Sequence, residues 1–97
     1  MPTPDTETAP SPEVSVAEET RVARPWRVIL FDDDVHTFED VIVQVVLATR
    51  CSVEAAQRIA WTVHTTGKAV CFGGPFEACF RVKAVLDEIA LITQIEG

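Results

Sequence analysis

A hydrophobic run, Trp26-Arg27-Val28-Ile29-Leu30-Phe31, ends against three consecutive aspartates, Asp32-Asp33-Asp34, and this junction constrains the chain more than any other feature. β-Branched and aromatic residues following Pro25 suit a strand with one well buried face. The carboxylates repel one another, so a folded domain that gathers them at a strand end holds them for something cationic. Thr37 precedes Asp40 at capping-box spacing, and Glu39 and Asp40 lie where the positive end of a helix dipole favours them. The chain is expected to pass from strand through an acidic corner into a helix.

Phe38, Val41, Ile42, Val45 and Val46 recur at helical spacing and predict a helix over Phe38–Thr49. Its many β-branched residues would also suit a strand, but the cap and the three-four rhythm decide for helix. Ser52 is a candidate N-cap for a second helix, with Glu54 in the first turn, Ala56, Ile59, Ala60 and Val63 along one face, and Gly67 as its stop. His64 follows Ala60 by one turn and shares its side. Residues 68–72 read as a second strand, broken by Gly73-Gly74, and Pro75 fits the first position of a third helix. Cys79, Val82, Leu86, Ile89 and Ala90 mark the buried stripe of that helix, and residues 91–95 predict a third strand. The order β-α-α-β-α-β implies an α+β fold in which a three-stranded antiparallel sheet is covered on one face by three helices.

Residues 1–24 contain Pro2, Pro4, Pro10, Pro12 and five acidic residues, with no aromatic or long aliphatic side chain. Such a segment buries too little apolar area to offset its ordering entropy, so it is expected to be a mobile acidic tail before one core domain at 25–97. Its role is either a flexible handle or simple solubilisation. Lys and Arg number 8 against 15 Asp and Glu, a formal charge of −7 that argues against nucleic acid and anionic membrane and favours basic partners. Cys51, Cys71 and Cys79 lack CxxC or HxxxH companions, which predicts reduced, mostly buried thiols and no zinc site. No run approaches the ~18 apolar residues of a membrane span, and the N-terminus lacks a signal-peptide pattern, so the chain is expected to be neither exported nor anchored. Reduced thiols agree with a cytoplasmic protein, and a monomer is expected.

Three chemistries compete for the acidic corner. Carboxylate oxygens at the turn suit charge-assisted hydrogen bonds to an ammonium, with His64 as a further neutral acceptor, whereas a solvated acidic turn and a surface histidine explain the same residues without a ligand. A metal site from Asp32 or Asp34, His36, Glu39 and His64 has no diagnostic spacing. Hydrolysis by a carboxylate-histidine pair, or by a Cys nucleophile with His, lacks a local motif that places nucleophile, base and orienting group together. Phe38, Phe72, Phe76 and Trp61 read as core or groove wall.

Val28-Ile29-Leu30-Phe31-Asp32-Asp33-Asp34 leading into Glu39 and Val41-Ile42, then Val63-His64, then Gly67-Lys68-Ala69-Val70-Cys71, resembles the ClpS family in order and spacing over residues 26–96. The resemblance implies an adaptor, not an enzyme and without cofactor, that recognises bulky hydrophobic N-terminal residues and delivers their proteins to a ClpA- or ClpC-type AAA+ unfoldase. It assigns α-amino binding to Asp32, Asp33 and His64. It assigns the side-chain pocket to Asp34, His36, Phe38, Val41, Ala60, Val63 and Leu91, and unfoldase docking to Glu77, with Arg81 and Lys83 flanking Val82, where the family has a basic residue. The tail resembles the family's delivery segment.

The chain departs from that pattern at its centre. Asp32 replaces an Asn, adding charge and removing an amide donor; His36-Thr37 replaces Thr-Pro; Phe38 and Ala60 replace methionines at the mouth and floor. These changes point to a pocket reshaped at its mouth and deepened inside, and leave open a diverged paralogue that serves as an interaction module.

Overall fold

The computed structural model describes residues 25–97, and the expected tail lies outside the described residues. The elements follow the predicted order: β1 Trp26–Phe31, α1 Phe38–Thr49, α2 Val53–Thr66, β2 Lys68–Gly74, α3 Phe76–Asp87 and β3 Thr93–Glu96. The sheet is antiparallel with β1 central, in the order β2-β1-β3. Val28 and Leu30 point from β1 into a core built with Val45 of α1, Ala56 and Val63 of α2, and Cys79, Val82 and Leu86 of α3. The α+β architecture, three helices over one three-stranded sheet, is the one expected.

Local chemistry sets the helix ends. Thr37 and Asp40 form a reciprocal capping box, Asp40 N–H to Thr37 Oγ1 at 3.0 Å and Thr37 N–H to Asp40 Oδ2 at 3.1 Å, which satisfies two otherwise orphaned donors. Ser52 Oγ accepts from the Ala55 N–H at 3.1 Å, and Gly67 closes α2 at φ 95°, a left-handed geometry that a side chain resists. Inside the fold, the Gln44 amide donates to the Val85 carbonyl at 2.7 Å and ties α1 to the end of α3.

Four local expectations are corrected. Gly73 and Gly74 do not break β2; they continue it, opposite Arg27 and Trp26. The register instead shifts between Val28 and Ile29, where Cys71 is the extra residue of a bulge and turns its thiol inward, buried. Pro75 is the N-cap of α3 and not its first helical residue. Helix α3 ends at Asp87, before Ile89 and Ala90, because the chain turns through Ala90 at φ 61° and the Leu91 N–H returns to the Leu86 carbonyl. That turn drives Leu91 into the core and delays β3 to Thr93.

Candidate functional site

Two backbone bonds anchor the acidic corner. The Phe31 N–H donates to the Ile92 carbonyl and the Asp32 N–H to the Gly67 carbonyl, each at 2.9 Å, so the end of β1 is fastened to the segments on both sides. Asp33 then shapes the loop. Its Oδ1 accepts from the Val35 N–H at 2.8 Å and the His36 N–H at 2.9 Å, and its Oδ2 lies 2.8 Å from His36 Nδ1. A carboxylate has about four acceptor positions, so the loop occupies three of them and leaves about one for another donor. Asp32 and Asp34 are exposed.

Burial raises the Asp33 pKa, but the backbone bonds from His36 and Val35 and the pairing with the His36 ring outweigh it and hold the carboxyl below its ordinary value. His36 moves the other way. Its bond to Asp33, then its bond to the Ile89 carbonyl, raise the pKa above the ordinary histidine value against a smaller opposing effect of burial.

Helix α2 supplies the facing wall. Ala60, Val63 and His64 recur at three and four residues, which sets them on one face over the corner. The result is a cavity of about 480 Å³, in the size range of small-ligand sites. Asp32, Asp33, Asp34 and His64 supply its charged and polar groups, His36 and Thr37 its lip, and Phe38, Val41, Ala60, Trp61 and Val63 its apolar wall. Phe38 and Trp61 meet edge to face with centroids 6.5 Å apart, and Trp61 lies 6.2 Å from the His64 ring. An ammonium at the carboxylates and an apolar group against the aromatic wall would be held together.

Nine of the ten residues named for this region line the cavity. Leu91 does not: it is 4% exposed and packs in the core, because the left-handed turn at Ala90 points it inward. Thr37 and Trp61 line the cavity without having been assigned to it. Trp61 was legible from spacing, three residues before His64 on the same helix; Thr37 was masked by its capping role. Among the described residues no group of three or more His, Cys, Asp or Glu is placed to hold a metal ion, and both His36 nitrogens already face protein acceptors.

The three residues expected to dock an unfoldase separate. Glu77 and Arg81, one turn apart on α3, share an apolar hollow with Phe76 and Phe80. Lys83 lies off that face, its Nζ 3.2 Å from Asp87 Oδ2 and 3.0 Å from Thr93 Oγ1. Among the described residues no helix is long and apolar enough to cross a membrane.

The sequence model described as "ATP-dependent Clp protease adaptor protein ClpS" matches residues 21–92. The human and mouse E3 ubiquitin-protein ligases UBR2 are each 36% identical over 58 residues, 60% of this chain but 3% of those proteins, so the likeness is to one small part of a much larger polypeptide. Among solved structures, Agrobacterium tumefaciens ClpS2 bound to L-phenylalaninamide superposes with a TM-score of 0.68 at 25% identity, over 76% of this chain and 96% of that one.

Proposed function

This chain belongs to the ClpS family, adaptor proteins of the ATP-dependent Clp protease, and from that premise we propose that it captures proteins by a bulky hydrophobic N-terminal residue. The observation that carries the reading is one cavity that joins three aspartates and His64 to an aromatic and aliphatic wall. A free N-terminus is a monovalent cation one bond from an apolar side chain, and this cavity has a place for each. In this reading Asp32, Asp33 and His64 contact the α-amino group, and His36, Phe38, Val41, Ala60 and Val63 surround the first side chain, with Asp34 and Trp61 at the rim. The ligand in the ClpS2 structure, L-phenylalaninamide, has the same pair of groups.

Delivery to a ClpA- or ClpC-type unfoldase in the cytoplasm completes the proposal. Glu77 and Arg81 are the docking candidates on α3, with Lys83 left to its intramolecular partners. Residues 1–24 are assigned as the segment the unfoldase engages, ahead of a core domain at 25–97. Deleting them should leave peptide capture intact and stop delivery in a reconstituted degradation assay.

Fluorescence anisotropy with peptides that differ only at the first residue tests capture. Peptides beginning with Phe or Leu should bind, and acetylating the α-amino group should remove the binding. Equal affinity for the acetylated peptide would favour a diverged interaction module, a reading supported by Asp32 and Ala60 in the cavity wall.

A further inference from the structure

An imidazole flanked by an acceptor at each nitrogen has to donate from both, and only the imidazolium does so. His36 is in this position, with Nδ1 2.8 Å from the Asp33 carboxylate and Nε2 against the Ile89 carbonyl. We infer that His36 is the positioning residue of the site, a two-ended imidazolium pin that ties the acidic corner to the turn after α3 and holds Asp33 toward the cavity. The inference rests on the N-terminus-binding reading of that cavity.

The two ends of the pin join parts of the chain that nothing local would bring together, since Asp33 is three residues from His36 and Ile89 is 53. The charged groups around it favour the cation. Asp33 faces it from its own loop, Asp40 acts on it from α1, and Glu39 and Asp40 share a shallow hollow with it. Beyond Ile89 stands Glu88, whose Oε1 is 3.5 Å from the Gln44 amide. On the cavity side the facing titratable groups are Asp32, Asp34 and His64. When the ring loses a proton, one nitrogen becomes an acceptor opposite another acceptor, and the pin is released at one end. His36 also lies at the lip of the cavity, so its release changes the geometry a ligand meets.

Nitrogen-15 NMR of the full chain tests the ring directly, with the His36 signals assigned by their loss in His36→Ala. Both His36 nitrogens should stay protonated to a higher pH than those of a histidine in a short peptide, and a ring that loses its proton at or below that pH would overturn the inference. Binding supplies the second arm: the ratio of wild-type to His36→Ala affinity for a Phe-initiated peptide cancels titration of the peptide's own amine. That ratio should be roughly tenfold at mildly acidic pH and shrink as pH rises. His36→Gln retains a donor that never charges, and its affinity relative to His36→Ala should stay flat with pH. A wild-type ratio that is constant with pH would overturn the positioning role even if the variant binds weakly. If no protein binds the peptide at any pH, the capture reading fails and the positioning role with it, while the NMR signals still decide whether the pin exists.

Discussion

Most of the Asp33 carboxylate is committed to its own loop, so its removal does more than delete the proposed ligand contact. Asp33→Ala leaves the Val35 and His36 N–H groups and the His36 ring without their acceptor and should cost about 1–3 kcal/mol of stability. His64 is exposed on α2, and His64→Ala should stay within about 0.5 kcal/mol of wild type. Both should lose affinity for a Phe-initiated peptide, so urea melts run beside anisotropy separate the two roles. The pH dependence of stability follows from Asp33 and its partner His36. Asp33 titrates below 3.8 when folded, so its stabilisation is complete above that value and disappears as pH falls through the lowered pKa. His36 titrates above 6.5 when folded, so its stabilisation is complete below that value and fades as pH rises through the raised pKa. Both contributions are therefore present between 3.8 and 6.5, and denaturant midpoints followed upward from there should decline in wild type but not through this step in His36→Ala.

At the scale of the element, caps do much of the placing. Gly67 stops α2 in a left-handed turn, and its carbonyl receives the Asp32 N–H, so one residue both ends the helix that carries His64 and fastens the corner opposite. A Cβ at Gly67 would meet nothing within 4 Å, which makes the penalty of Gly67→Ala torsional, about 1–2 kcal/mol by thermal or urea unfolding. A loss larger than this would mean that the turn holds more than its own backbone. The Thr37 box, the Ser52 cap and the Gly67 stop were all legible, because each works over three or four residues of chain. The end of α3 was not: Ile89 and Ala90 keep the apolar rhythm, but Leu91 returns its N–H to Leu86 and the helix gives way to a turn. Gly73 and Gly74 misled in the opposite direction, since pairing with β1 overrides their weak strand propensity.

For the whole molecule, stability rests on one core in which Leu30 and Leu86 are fully buried between the sheet and the helices. Leu86→Ala removes packing from α3 where it covers β1 and should cost about 2–5 kcal/mol in equilibrium unfolding. The thiols report on the same core. Burial pushes Cys71 up to about 12, and Cys79 is fully buried, so a thiol reagent should reach neither in the native protein and both after unfolding. Rapid native labelling of Cys71 would contradict the packed sheet-helix interface.

Periodicity and capping act between near neighbours, and for that reason the order of elements, the starts of α1 and α2 and the acidic corner could be read directly from the residues. Convergence is a property of packing. The seating of α2 against the corner brings His64 and Trp61 to the aspartates, and packing under the sheet takes Leu91 into the core. What each of these side chains meets depends on elements distant in sequence, and a linear pattern carries no term for that distance.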